Sequence, residues 1–411
     1  MKTLHIFYRS YCVGVLSIND QQLYQFQYDQ AWLDKLDCFA LSCSLPLQAQ
    51  AFDHLLSYSF FSNLIPEGDL RYKIARLLGI SEGNDFALLE AIGGEVAGAI
   101  SLSNEADNPL HSSAKQRDLT AKELSSVVKQ LESQPFLINE EGLRLSLAGA
   151  QNKLPIIYQD QQFALPLGQT PSTHILKPDP RRKGLPQLAI NEAFCMSLAK
   201  NCKLNTANVE LINVDGQDCV LVQRYDRLNQ QRLHQEDFCQ AMGIVPFNKY
   251  ESEGGPSFVN CATMIDQYSS RPAADKKRLL HWTIFNYIIG NADAHGKNLS
   301  FLQQPKRVVS PFYDLLSTAI YPELNQRMSM KVGGENRPKW LMDRHWKKYC
   351  TEISVPYKML QREAKTLTNL VSEKAELLAQ NNTFSHQPEV TMKIKKVIEE
   401  RQKWLCSRLG L

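Results

Sequence analysis

Apolar residues recur along this chain with two different periods, and the change from one to the other divides it. Near the start Leu4, Ile6 and Tyr8 alternate with other residues, Val13-Gly14-Val15-Leu16 follows, and Tyr24, Phe26 and Tyr28 alternate again. A period of two places successive side chains on opposite faces of an extended backbone, so these stretches read as short strands. From Asp69 to Leu78 the period lengthens, with Leu70, Ile74, Leu77 and Leu78 on one helical face and Gly79 placed to end it. Val96-Ala97-Gly98-Ala99-Ile100-Ser101-Leu102 reads as a last buried strand. Ser103 to Asp118, poor in large apolar residues, reads as a linker.

A helix then opens at Thr120, where Thr120-Ala121-Lys122-Glu123 matches a capping box and Leu124, Val127, Val128 and Leu131 give one apolar face. Strand patterns return between Arg144 and Tyr225: Leu154–Tyr158, His174–Lys177 and Cys219–Val222. They are interrupted by a helix from Asn191 to Lys200. After Asp226 the period is mostly helical, with an apolar helix from Leu279 to Ile289 stopping at Gly290, and amphipathic helices over Tyr357–Gln380 and Val390–Leu409. In the last of these Lys393, Lys395, Lys396 and Arg401 lie mostly off the apolar stripe and read as a solvated face. The expectation is an α+β chain in three parts: an accessory α+β subdomain (1–117), a sheet-rich lobe (118–225) and an all-helical lobe (226–411).

Composition narrows the classes. The chain has 411 residues, is 43% hydrophobic and 22% charged, and carries a formal net charge of +3 from 46 basic and 43 acidic residues. Such a balance suits a globular protein and is too mild to imply nucleic acid without a local patch. No apolar stretch is long enough to span a bilayer, so no membrane partner is expected. The apolar run at Met1–Phe7 is broken by Tyr8, Arg9 and Ser10 and makes no signal peptide. Ten cysteines form no C-x-x-C pair, which fits reduced thiols in a cytoplasmic protein better than zinc or disulfides.

The chemistry gathers in Gly290-Asn291-Ala292-Asp293-Ala294-His295-Gly296-Lys297-Asn298, with Asp314 sixteen positions beyond Asn298 in Phe312-Tyr313-Asp314. Phosphoryl transfer of the protein-kinase kind needs a carboxylate to position the attacking hydroxyl, and an amide with a second carboxylate to hold Mg²⁺ against ATP. D-x-x-x-x-N followed by a separate Asp has that order, although the spacing alone arises by chance in many chains. Upstream, Ser146-Leu147-Ala148-Gly149-Ala150-Gln151-Asn152-Lys153 has the small residues that let successive backbone N–H groups approach a phosphate. It is neither a Walker A nor a G-x-G-x-x-G loop. Lys153 reads either as part of this loop or as an exposed strand lysine. Lys177 closes an apolar strand and needs an anionic partner, with Glu192 of the next helix the candidate and a surface lysine the alternative. Tyr225, in Gln223-Arg224-Tyr225-Asp226, reads as an aromatic beside an adenine or as ordinary core. The basic trio in Pro178-Asp179-Pro180-Arg181-Arg182-Lys183-Gly184 could meet an acidic surface or RNA, or be solvated.

Together these residues resemble the HipA family of bacterial Ser/Thr protein kinases, the toxin half of HipA–HipB pairs. Eight motifs follow the family's order, from Arg144–Gln151, Thr173–Lys177 and Asn191-Glu192 through Arg224–Arg227, Gln235–Asp237 and Lys249–Pro256 to Asp293–Asn298 and Pro311–Asp314. Asn63–Glu67 adds a less specific match in the accessory region. The resemblance implies a two-lobed protein-kinase-like fold. Asp293 would be the catalytic base, and Asn298 and Asp314 the Mg²⁺ ligands. ATP would be contacted by Leu147, Ala148, Gly149, Ala150, Gln151, Asn152, Lys153, Lys177, Gln223, Tyr225, His295 and Lys297, with Glu192 in the supporting ion pair and Ser146 as autophosphorylation site. It further implies a protein substrate in translation, such as an aminoacyl-tRNA synthetase, a HipB-like DNA-binding antitoxin, and operator DNA reached through that antitoxin. A family pattern has Glu at the positions of Gln223 and Asn152, but neither departure removes an acid, base or metal ligand. Two rivals remain: a kinase of this fold acting on a small molecule or lipid, and a protein that serves mainly as co-repressor.

Overall fold

A computed structural model describes the chain apart from residues 107–114, 139, 141, 142, 169, 181–184 and 305. The basic trio Arg181-Arg182-Lys183 and half of the expected linker lie outside the described residues. The chain forms two compact units. The first comprises Met1–Pro178, Gln223–Phe247 and Leu302–Gln304, and the second Asp179–Val222, Asn248–Phe301 and Pro305–Leu411.

The first unit opens on three antiparallel strands, Lys2–Tyr8, Tyr11–Ile18 and Tyr24–Tyr28, where the period of two was read. Strand Ile100–Ser103 joins the other side of the first strand. The alternation pays off as burial on one face: Leu4, Ile6, Leu16 and Phe26 are all 0% exposed. The helix Gly68–Leu78 ends on Gly79, as its pattern predicts. The strand expected from Val96 starts only at Ile100. Before it, Gly98 turns aside with φ +86°, its N–H donating to Asp226 Oδ2 (2.8 Å) and its carbonyl accepting from Arg227 (2.9 Å). Part of the expected linker is also a strand, Lys115–Leu119. It forms the edge of an antiparallel run with Gln162–Leu167, Leu154–Gln159 and His174–Pro178. The Thr120 capping box is present, with Thr120 and Glu123 exchanging side-chain-to-backbone hydrogen bonds.

The second unit is built around the helix Pro272–Ile289, whose Leu279, Trp282, Phe285 and Ile289 are buried. Helices Phe258–Tyr268, Tyr357–Ala379 and Pro388–Leu409 pack on it. The helix Leu188–Asn201 and the hairpin of Val209–Val214 with Gln217–Gln223 belong here too. The region after Asp226 is mostly but not wholly helical. Short strands run over Arg227–Leu228, Gln231–Arg232, Gln235–Asp237, Ser300–Gln304 and Lys306–Val309. No described helix is long and apolar enough to cross a membrane.

Candidate active site

The helix Pro272–Ile289 delivers the expected catalytic loop. It ends on Gly290 at φ +70°, with the Gly290 N–H donating to Tyr287 O (3.2 Å) and the Asn291 N–H to Asn286 O (2.9 Å), a Schellman closure. A Cβ on Gly290 would lie 2.7 Å from both Ala319 and Val397, so the turn excludes side chains by crowding as well as by conformation. Asn291 Nδ2 then donates to Asn286 Oδ1 (2.8 Å), and Asn291 Oδ1 accepts from the Asp293 N–H (3.0 Å). Thr318 Oγ1 accepts from the Ala292 N–H (2.7 Å) and donates to Gly290 O (3.1 Å), while Ser329 Oγ donates to Ala292 O (2.6 Å).

This scaffold presents one acid. The Asp293 side chain is 49% exposed, whereas Ala294, His295, Lys297 and Asn298 are all below a tenth. Tyr250 donates its phenol O–H to Asp293 Oδ1 (2.7 Å), and the ring of His295 brings Nε2 to 4.0 Å from the same oxygen. The His295 N–H donates to Asn298 Oδ1 (3.1 Å), and Asn298 Nδ2 donates to Asp314 Oδ2 (3.0 Å). The structure therefore joins the two expected metal ligands directly. Asp314 sits at φ +57°, in the left-handed region that few non-glycine residues occupy, aspartate among the better tolerated, and that clusters at functional sites. Its anchors are clear: the Phe312 N–H donates to Asn205 O, Phe312 O accepts from Ala207, and Tyr313 donates to Lys297 O (2.6 Å). An amide beside one carboxylate suits Mg²⁺, which takes one or two protein oxygens and completes its shell with water and phosphate. No group of three or more His, Cys, Asp or Glu side chains that could hold a metal occurs among the described residues.

Glu192 is buried in the helix Leu188–Asn201, whose first N–H groups are capped from across residues 181–184 by Asp179: Ala189 N to Oδ1 (2.8 Å) and Gln187 N to Oδ2 (3.1 Å). Asn191 ties that helix to the segment beyond Asp314, exchanging two hydrogen bonds with the Ser317 backbone.

The first unit holds the expected phosphate loop. The Ser146 N–H donates to Glu95 O and its hydroxyl to Leu64 O (both 2.9 Å), and the side chain is 0% exposed. Leu147 is buried, Ala148 and Gly149 are half-buried and Ala150 is exposed. Gly149 sits at φ +103°, paired with Pro66, its carbonyl accepting from the Glu67 N–H (3.2 Å). Lys153, 9% exposed, folds back to donate to Ala148 O (2.5 Å), so the exposed-lysine alternative does not hold. Gln151 Nε2 is buried without a hydrogen-bond partner, a donor that a phosphate oxygen in the loop would satisfy. Asn152 is half-buried beside it. Lys177 is 7% exposed near the end of its strand, which excludes the surface-lysine alternative. Gln223 is exposed, and half-buried Tyr225 spends its hydroxyl on Gln235.

Two features went unread in the sequence. Tyr250 lies inside the Lys249–Pro256 motif, 43 positions from Asp293, and only the fold brings the two together. Glu95 is the second. Its carboxylate is fully buried among Arg224, Arg227 and Arg232, with Ser172 donating to it (2.9 Å), and Asp226 pairs with Arg224 and Arg227. Burial alone would raise the Glu95 carboxyl, but Arg227, Arg232 and Arg224 together bring it down to about 2. Three guanidiniums face two carboxylates here. Arg232 bears the imbalance, with burial the first cause that lowers it to about 10.

An α+β fold of the protein-kinase kind, carrying a D-x-x-x-x-N loop bonded to a second aspartate, defines a phosphotransferase. Comparison with known proteins gives the family. The model of the HipA-like C-terminal domain matches residues 145–377, and that of the HipA N-terminal domain matches residues 4–103. The chain belongs to the HipA family and is a serine/threonine protein kinase by that membership. It is 40% identical over 391 residues to the Sinorhizobium fredii protein named "Putative kinase Y4mE", covering 92% of this chain and 91% of that one. It is 32% identical over 377 residues to the serine/threonine-protein kinase toxin HipA of Shewanella oneidensis, covering 87% and 85%. The solved structure of the Shewanella oneidensis HipA, HipB and operator DNA complex superposes with a TM-score of 0.84 at 27% identity, covering 99% of both chains.

Proposed function

We propose that this chain uses ATP and Mg²⁺ to phosphorylate a serine or threonine on a protein of the translation machinery, an aminoacyl-tRNA synthetase being the leading expectation. We place it in the cytoplasm, where it is autophosphorylated at Ser146 and neutralised by a HipB-like antitoxin through which it reaches operator DNA. Residues 1–117 serve as the accessory subdomain, 118–225 as the ATP-binding lobe and 226–411 as the catalytic lobe.

The observation that carries this reading is one exposed carboxylate, Asp293, on an otherwise buried loop, with Asn298 hydrogen-bonded to Asp314 a few residues on. Asp293 receives the acceptor hydroxyl. The acceptor oxygen bonds to the γ-phosphorus, the bond to the bridging oxygen breaks with its electron pair leaving on ADP, and the proton passes to Asp293. Asn298 and Asp314 would hold the metal, which would supply positive charge against the phosphates. Lys177, Lys153, the backbone of residues 147–152 and the Gln151 amide bind phosphate oxygens, with His295 and Lys297 from the catalytic loop. Glu192 offsets the charge of Lys177, and Gln223 and Tyr225 face the base.

The test is transfer of label from γ-labelled ATP to proteins of a cell lysate. Wild-type chain should label discrete protein bands. Asp293→Ala and Asp314→Ala should each lose about 10²–10⁴-fold in rate with an unchanged melting temperature. Label appearing only in small molecules or lipid would favour the rival kinase reading, and wild-type rates from folded Asp293→Ala would remove the acid from its role.

A further inference from the structure

The loop Lys249–Pro256 packs directly on the catalytic loop, and its Tyr250 is bonded to the exposed acid. We propose that Tyr250 is a positioning residue for phosphoryl transfer: its hydroxyl, fixed on Asp293 Oδ1, sets the orientation of the carboxylate that receives the acceptor. The inference rests on Asp293 being the base.

An exposed aspartate has a freely turning carboxylate, and a base that must meet one hydroxyl in one geometry loses rate to that freedom. Asp293 is held at its main chain by Asn291, but a main-chain bond does not fix χ2. The phenol bond of 2.7 Å does, because it takes one carboxylate oxygen and stops rotation about the last side-chain bond.

The main chain around Tyr250 is tethered on both flanks. On one side the Gly296 N–H donates to Lys249 O (3.4 Å), tying the residue before it to the catalytic loop. On the other the Glu251 N–H donates to Ser329 O (3.2 Å), and Ser329 Oγ returns to Ala292 O. The loop closes on itself through Tyr250 O, which accepts from the Glu253 and Gly255 N–H groups (both 2.9 Å). Gly255 permits this closure, since a Cβ there would stand 2.7 Å from Tyr250 O. The ring meets His295 edge-on (5.2 Å, 79°), and Lys249 Nζ lies 5.4 Å from its centroid. The main-chain tethers fix where the Tyr250 side chain starts, and to swing its hydroxyl away the ring would have to leave both Asp293 and its edge-on contact with His295. Those two side-chain contacts make the phenol part of the scaffold that presents Asp293.

The experiment is a double-mutant cycle with full-length protein, γ-labelled ATP and desalted cell lysate as acceptor. Tyr250→Phe keeps the ring and its contact with His295 but removes the hydroxyl. It should lower kcat for label transfer about 10-fold, leaving KM for ATP and the melting temperature unchanged. In an Asp293→Ala background the same change should add no further loss to the residual rate, because a residue that acts only through Asp293 has nothing left to orient. Wild-type kcat in Tyr250→Phe overturns the proposal, as does a rate above wild type, which would make the phenol a plug, or a full 10-fold loss persisting without Asp293. If Asp293→Ala itself keeps wild-type activity, the base assignment fails instead, and the two failures are told apart.

Discussion

A phosphate on Ser146 has no room while the loop keeps its place. The side chain is 0% exposed, its hydroxyl is bonded to Leu64 O, and its neighbours Leu145 and Gly149 are bridged to Glu95 and Pro66. A group of roughly −1.5 to −2 charge cannot be buried there unpaired, so modification has to be coupled to release of the loop. Release would carry off Gly149, Gln151 and the Lys153–Ala148 contact together. Ser146→Ala loses one buried hydrogen bond, about 1 kcal/mol, while Ser146→Asp forces the charge in. The expected outcome is that Ser146→Ala keeps label transfer to lysate proteins but loses self-labelling, and Ser146→Asp loses ATP binding. Mass spectrometry of the wild type after Mg-ATP should find the phosphate at Ser146; finding it at another residue would refute the assignment.

At the scale of elements, the segment Gly94–Gly98 explains both what the sequence revealed and what it withheld. Helices and buried strands were legible because each buries a stripe that its own residues encode, as in Gly68–Leu78 or Pro272–Ile289. Lys115–Leu119 encodes no such stripe. It is a charged edge strand held by its pairing with Gln162–Leu167 and by the Thr170 hydroxyl at Lys115. The strand Ile100–Ser103 starts later than its pattern predicts because Gly98 obeys Asp226, a residue 128 positions away. In the candidate site Asp293, Asn298 and Asp314 stand out by their fixed spacing, and the structure joins Asn298 to Asp314, whereas the contacts of Tyr250 and Glu95 cross gaps that no local pattern spans. Glu95 is the joint of this segment: its backbone bonds Arg144 and Ser146, and its carboxylate holds three arginines. Lowered from 4.5 to about 2, it contributes on the order of 3 kcal/mol that is fully present above the unfolded value and is lost as pH falls through the folded one. Glu95→Gln strands buried guanidiniums and should cost roughly 3–5 kcal/mol at pH 7. In urea melts the gap between wild type and variant should narrow as pH drops from about 4.5 towards 2. A gap that stays constant over that window would show that charge is not what Glu95 contributes.

Over the whole molecule, charge bears on the proposed route to operator DNA through an antitoxin. A net +3 spread over 411 residues supplies little counterion release, and the lysines of Pro388–Leu409 are partly spent on acids of their own, Lys393 on Glu389 and Lys395 on Glu376. Both pairs are surface pairs, worth little for stability, but each cancels a charge that a phosphate would otherwise meet. The Shewanella oneidensis relative was solved with HipB and operator DNA, and for this chain we expect the sequence-reading to belong to the antitoxin. The purified chain alone should then show weak binding to an operator duplex that disappears between about 50 and 200 mM salt and does not distinguish it from scrambled DNA. Adding the cognate antitoxin should give a salt-tolerant, operator-specific complex containing both proteins. Fluorescence anisotropy with labelled duplex reads both quantities. Tight, sequence-selective binding by the chain alone at 200 mM salt would reverse the argument, making direct DNA recognition a property of this kinase.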